Sequence, residues 1–269
     1  SKGWFLMTNP TPCTEICDND IDDDGDGNTD NCDDDCNPDA NIIAGCITVN
    51  VTGDESDTNP GDGKCLTINC DCTLRAAIEE ANALAGKDTI CFNIPGPGQD
   101  YDGTKWTITP MSLFENLTEA VFIDGYTQTG SVMATTGADP VLKIKINGEN
   151  LPANGAIFQT TADDNKLAGM VISGNDANGR SSGVSIQSNN NEVVGNFIGV
   201  TVDGNTAFAN GTGVIVNGSN NKIGGPNAAD ANIIAENVGA GIEVVNTGSN
   251  GNIILRNSFF CIFYSTSDT

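Results

Sequence analysis

Gly155-Ala-Ile-Phe158, Gly183-Val-Ser-Ile186, Gly213-Val-Ile-Val216 and Gly241-Ile-Glu-Val244 recur at steps of 28, 30 and 28 residues. An Asn-led segment follows each: Asn165-Lys-Leu-Ala-Gly169, Asn191-Glu-Val-Val-Gly195, Asn221-Lys-Ile-Gly-Gly225 and Asn252-Ile-Ile-Leu255. A fixed period built from short β-like units specifies an array whose members stack on one another. Within one period we read three strands, Gly213–Asn217, Asn221–Gly225 and Asn232–Asn237. Gly218-Ser219-Asn220 and a longer 226–231 loop separate them. Three strands per coil predict a parallel β-helix; a propeller blade would need about 40–50 residues and antiparallel hairpins.

Alternation along the Gly-led strands assigns their faces. Ala156 and Phe158, Val184 and Ile186, Val214 and Val216, and Ile242 and Val244 are expected inward. Ile157, Ser185, Ile215 and Glu243 are expected outward. Phe158, Ile186, Val216 and Val244 then form one column, with coils about 4.8 Å apart. Each buried member is worth roughly 1.5–3 kcal/mol, so a charge there should be destructive and one at Ser185 nearly silent. Asparagine at the repeated turns tolerates left-handed backbone angles and can bond local amides.

Working outward, residues 1–12 read as a linker and 13–40 as an Asp/Cys-rich module. Residues 41–87 are a transition with strands at Ile42-Ile43 and Cys46–Val49 and a helix over 73–85. Thr73 is its N-cap, Leu74, Ala77, Ile78, Ala81 and Leu84 form its apolar face, and Gly86 supplies the stop. Such a helix covers the exposed end of a β stack. Residues 88–269 are the β-helix. Its early strands include Thr89–Phe92, Trp106–Ile108, Ala120–Ile123 and Val141–Ile146.

The 269 residues carry a net charge of −25 and no histidine, and 11 aspartates fall within 18–39. That balance disfavours nucleic acid, whose binding needs Lys and Arg to displace counterions, and favours a cation such as Ca²⁺. No run of 18 apolar residues occurs, so no membrane span is expected. Trp4-Phe5-Leu6-Met7 is too short for a signal-peptide core, so the chain is read as processed or cut from something larger. Ten cysteines, nine of them before residue 92, point to disulfides and a secreted, extracellular location in an oxidising compartment. Zinc on Cys13-x3-Cys17 with Cys32-x3-Cys36, or on Cys70-x-Cys72, is the competing reading. Disulfide connectivity stays open; Cys17–Cys32 and Cys32–Cys36 are local candidates.

Cys72-Thr-Leu-Arg-Ala-Ala-Ile-Glu-Glu-Ala-Asn82 resembles the helix motif of secreted bacterial β-helix proteins of the CSLREA family, with Thr73 for Ser and Ala76 for Glu. Asp88–Phe92 is similar to that family's first strand and Ile123-Asp-Gly-Tyr-Thr-Gln-Thr-Gly130 to its Ile-Asp-Gly-x-Thr-Gln-Pro-Gly segment. Gly195-Asn-Phe-Ile-Gly-Val-Thr-Val-Asp-Gly204 is similar to its recurrent Gly-Asn-x-Ile-Gly-Thr turn. The resemblance spans about residues 65–260. It implies an all-β, right-handed parallel β-helix with an N-terminal capping helix, in large surface-anchored proteins, and it implies no reaction.

Asp22, Asp24, Asp26, Gly27, Asn28, Asp30 and Asp33 fit a twelve-residue calcium loop. Oxygen ligands fall at positions 1, 3, 5, 9 and 12, glycine stands at 6, and a carbonyl serves at 7. A register from Asp20 places Gly25 at the bend but leaves Asn31 at position 12, so the Asp22 register is preferred. Cysteines 17 and 32 replace flanking helices, so the segment resembles the Asp-rich repeats of thrombospondin type 3-like modules. A structural Ca²⁺ is the cofactor expected, against a solvated acidic linker.

Hydrolysis would need two carboxylates at defined separation on one face. Asp163, Asp164, Asp176, Asp203, Asp230, Glu236 and Glu243, with Arg180 and Arg256, fall mostly in expected turns, and no outward column gathers two acids and a base. The expected function is a non-enzymatic structural or adhesive surface protein within a homo-oligomer or larger assembly, stabilised by Ca²⁺ and disulfides. A carbohydrate-binding module is the alternative, ahead of a polysaccharide lyase or glycoside hydrolase. The apolar Ser258–Tyr264 is expected to cap the last coil or dock on another subunit. The partners expected are further copies, a carbohydrate or a cell surface.

Overall fold

Every strand pairing between named strands is parallel, and the strands fall into three sheets visited in turn. The computed structural model describes residues 45–96, 98, 100–176, 181–245 and 248–260, all within Asn41–Thr269, one of two units of the chain. The expected linker, the 13–40 module and the Ile42-Ile43 strand lie outside these residues.

Sheet A holds seven strands: β1 (Ile47–Val49), β2 (Asp88–Phe92), β4 (Val121–Asp124), β7 (Lys166–Ala168), β10 (Glu192–Val194), β13 (Lys222–Gly224) and β16 (Ile253–Leu255). Sheet B holds β3 (Trp106–Ile108), β5 (Ile144–Asn147), β8 (Met170–Ser173), β11 (Phe197–Ile198) and β14 (Ile233–Ile234). Sheet C, the Gly-led set, holds β6 (Ala156–Thr160), β9 (Ser182–Ile186), β12 (Thr212–Val216) and β15 (Ile242–Val244). A full coil therefore runs C, A, B, as in β12-β13-β14, and the fold is a parallel β-solenoid with three strands per coil.

Stacked side chains fill the interior. Ile47, Ile90, Ile123, Leu167, Val193, Ile223 and Ile254 share one register in sheet A. Ile108, Ile146, Ile172, Ile198 and Ile234 share one in sheet B. All but Ile47 and Ile254 are buried.

In sheet C the structure corrects the expected columns. Phe158 pairs with Val184, Val214 and Ile242, while Ile186, Val216 and Val244 align with Thr160. The structural step between the first two coils is 26 residues, as Ala156 faces Ser182, so Gly155 does not occupy the glycine register. Its missing side chain instead makes room for Leu113, which would crowd a Cβ there. Ile157, expected outward, is fully buried, and it is Gln159 that joins Ser185, Ile215 and Glu243 outside. Ser185 is itself 6% exposed and accepts from the Gln187 amide at 2.7 Å, so a charge there would not be silent.

The repeated asparagines do more than tolerate a turn. At the C-to-A corner Asn165, Asn191, Asn221 and Asn252 stack, and each Oδ1 accepts the backbone N–H one coil before, at 2.8–3.0 Å. At the A-to-B corner Asn196, Asn232 and Asn257 do the same for Met170, Asn196 and Asn232. At the B-to-C corner Asn210 and Asn237 serve Asn175 and Asn210. Most of their Nδ2 groups donate to carbonyls of the preceding coil, as Asn196 does to Leu167 at 2.9 Å, while Asn165 and Asn191 donate within their own coil, to Ala162 and Asn189. The left-handed bend falls one residue earlier at most of these positions: Asp164, Asn190, Asn220 and Gly251 at the first corner, Gly195 and Arg256 at the second, and Glu236 at the third. A corner thus combines a left-handed residue, which turns the chain, with an asparagine that satisfies the amide the turn removes from the sheet ladder.

Helix α1 (Leu74–Ala83) closes the N-terminal end on β1 and β2 with Leu74, Ala77, Ile78 and Ala81 buried. Thr73 accepts from the Ala76 N–H at 3.0 Å, the expected N-cap. The helix ends sooner than expected, because Leu84 is already extended. Disulfides Cys46–Cys91 and Cys65–Cys72 tie β1 to β2 and the preceding loop to the helix start. The second takes Cys72 from the Cys70-x-Cys72 zinc alternative.

Asn191→Ala should cost about 1–3 kcal/mol by leaving the Asn165 N–H unpaired in the interior, whereas Asn190→Gly, at a left-handed position, should be near neutral. Val214→Asp should cost at least about 3 kcal/mol. Urea unfolding of the three variants checks the order.

Candidate functional site

The residues of the helix motif that look chemical are all occupied in holding loops against the cap. Arg75 forms a two-pronged ion pair with Asp54, 2.8 and 3.0 Å from its Nη2, and donates to the Ser112 and Leu113 carbonyls. Its guanidinium also faces the Phe114 ring at 5.2 Å. Glu80, fully buried, accepts the Gly61 and Gly63 N–H groups, and Glu79 accepts that of Asp57. Asn82 accepts from Thr118 and donates to the Asn116 carbonyl. These are charge-assisted or fully paired contacts of a structural clamp.

The Ile123–Gly130 segment is likewise a built corner. Asp124 accepts the Tyr126 N–H at 3.0 Å, Thr127 accepts that of Phe92 at 2.7 Å, and buried Gln128 both accepts from and donates to Ile94. The Tyr126 hydroxyl donates to the Gly195 carbonyl at 2.9 Å. Its pKa is pushed up to about 12, first by burial and then by the nearby Asp124 and Asp230. Burial raises the Asp124 carboxyl as well, against the Tyr126 N–H and Lys166, which lower it.

The acids weighed for catalysis are spread among turns. Asp163 accepts the Asn189 N–H. Asp203 is held below the ordinary carboxylate range, first by the Thr201 hydroxyl and further by Asn205 and Thr206. Asp230 accepts the Asn227 N–H at 2.9 Å. Glu243 faces outward in β15, and Asp164 and Asp176 are exposed. Arg180 lies outside the described residues. The calcium-loop ligands Asp20, Asp22, Asp24, Asp26, Asn28, Asp30 and Asp33 lie outside them too. Among the described residues no three His, Cys, Asp or Glu side chains converge as a metal site.

What the sequence reading missed is a column on the outer face of sheet A. Phe122, Lys166, Glu192 and Lys222 share one register across β4, β7, β10 and β13. Lys222 Nζ lies 2.6 Å from Glu192 Oε1, and Lys166 Nζ lies 3.9 Å from Glu192 Oε2 and 4.7 Å from the Phe122 ring centroid. The Glu192 hydrogen bond and charge raise the Lys222 pKa. With Lys87, Asp164, Asn190 and Asn220 these residues line a groove of about 540 Å³. The signal was present in the second position of the Asn-led segments, where Lys166, Glu192 and Lys222 follow asparagine.

Asp124 supplies a pH test. Its folded-state pKa lies above the unfolded value, so its contribution to stability is intact below about pH 3.8 and is lost as pH rises through the folded value. Asp124→Asn keeps an acceptor for Tyr126 and should raise the Tm at pH 7 by a few degrees. The gain should vanish by pH 3, as followed by circular dichroism. No protein-family model matches the sequence, and no curated protein and no solved structure is significantly similar to it.

Proposed function

We propose that this chain is a non-enzymatic extracellular rod of the CSLREA type, with a structural or adhesive role at a cell surface, that assembles through one end. The observation that carries this reading is the contrast between the first coil and the last described one. Helix α1 covers the first coil. The last described coil instead leaves Val238, Val244, Val245, Ile253, Ile254, Leu255 and Phe259 exposed, each by 45% or more. Val244 and Ile254 continue interior columns, so among the described residues core positions of the last coil are left exposed. β15 and β16 are also terminal strands of their sheets, with one free edge each among the described residues. Exposed apolar side chains beside free strand edges form a surface suited to pairing with another chain. Contact with a second copy, or with further coils of the same protein, is placed on this edge.

Two disulfides support the oxidising compartment, and no helix among the described residues is long and apolar enough to cross a membrane. The structural Ca²⁺ in the Asp22–Asp33 loop rests on its ligand pattern.

Light scattering and electron microscopy of the full chain should show dimers or larger assemblies. Val244→Lys with Ile254→Lys should return it to monomers with little loss of Tm, since both side chains are half exposed. A monomeric parent chain at tens of micromolar would overturn the assembly reading. For the calcium loop, millimolar Ca²⁺ should protect residues 13–40 from proteolysis, and Asp22→Asn with Asp24→Asn should abolish the protection. Identical cleavage with Ca²⁺ and with chelator would return that segment to a solvated acidic linker.

A further inference from the structure

The three outer faces of the solenoid are unequal. That of sheet B is covered, because Leu142, Val171, Phe197, Val200 and Ala235 form a second buried cluster beneath loops. That of sheet C presents Gln159, Ser185, Ile215 and Glu243. That of sheet A carries a groove lined by three lysines, in a chain with 11 Lys and Arg against 36 Asp and Glu.

We infer that this groove binds an acidic oligosaccharide, a chain of uronate sugars lying along the solenoid axis. Three features argue for that class. Lys87, Lys166 and Lys222 face two carboxylates, Glu192 and Asp164, so the groove has a local charge of +1 where the molecule as a whole has −25. Lys166 and Lys222 divide a single carboxylate between them, and Lys87 has no ion-pair partner among the described residues, so cationic capacity is left over for an incoming anion. Phe122 holds Lys166 at its ring face and keeps that ammonium at the groove floor rather than in bulk solvent.

The rim is of a different kind. Asp164, Asn190 and Asn220 stand one above another at the left-handed corner positions, exposed and one per coil. Such a row offers amide and carboxylate groups to sugar hydroxyls at a spacing of about 4.8 Å, close to the length of one pyranose residue. A rod with one polar group per coil therefore matches a linear polymer with one hydroxyl set per sugar. A compact anion would use one lysine and leave the row idle.

The test is calorimetric titration of the full chain at fixed calcium with three probes: a linear hexagalacturonate, a neutral maltohexaose and a hexaglutamate peptide. The hexagalacturonate should bind and the other two should not. Lys166→Gln with Lys222→Gln should weaken binding at least tenfold. Glu192→Gln, which releases both lysines, should strengthen it severalfold, an outcome that a purely structural ion pair would not give. Tm measurements on each variant separate lost binding from lost fold. Absence of hexagalacturonate binding, equal binding of hexaglutamate, or an affinity unchanged in the double lysine variant would overturn the inference. The assignment is independent of the end contact, since the Val244→Lys, Ile254→Lys chain should bind the same probe with the same affinity.

Discussion

The solenoid depends on the hydrogen bonds that asparagine side chains carry from coil to coil. A chain that turns three times per coil takes backbone amides out of the sheet ladders at each corner and buries them, and an orphaned buried amide costs about 1–3 kcal/mol. Asparagine carries an acceptor and a donor on one short side chain, so it satisfies an N–H on one coil and a carbonyl on the same or the neighbouring one. The ladders Asn165-Asn191-Asn221-Asn252, Asn196-Asn232-Asn257 and Asn210-Asn237 set the corners in line. The isoleucine, leucine and valine columns can then stack. Glycine enforces the same registration elsewhere: a Cβ on Gly213 would lie 2.4 Å from the Gly241 carbonyl oxygen.

Stacking solves the interior and leaves the ends unsolved, because every coil but the first and last is covered by its neighbours. The helix before β2 covers the first coil with its apolar face, and it uses Arg75, Glu79 and Glu80 to tie down two loops, the β1–α1 and the β3–β4 connections. Those side chains would draw notice in a search for catalytic groups. Their partners are backbone groups and one aspartate, and their role is to keep the cap seated. The last described coil, by contrast, leaves Val244 and Ile254, which continue interior columns, half exposed.

Electrostatics follow the same architecture. Outward positions within a sheet repeat once per coil, so whatever residue follows the ladder asparagine forms a column whether or not the sequence was selected for it. In sheet A those residues alternate as lysine, glutamate and lysine, which stabilises cross-strand contact and concentrates cationic groups in an acidic molecule. The groove and the structural ladder are two sides of one repeat.

The parallel β-helix, its three strands per coil, the capping helix and its Thr73 N-cap were legible in the sequence, because each is written in local periodicity or capping chemistry. Glycine spacing misled at one step: Gly155 answers to Leu113 rather than to the coil register, so the columns of the first Gly-led strand lie two residues from where the period placed them, and Ile157 is inside. The asparagines were visible as turn residues, but the amides they pair with lie 25–44 residues away, in the neighbouring coil. The same distance hid the Lys166, Glu192 and Lys222 column. A local pattern determines which residues turn in and which turn out; only the stacking of coils decides which of them meet, because register depends on loop lengths that periodicity alone does not measure.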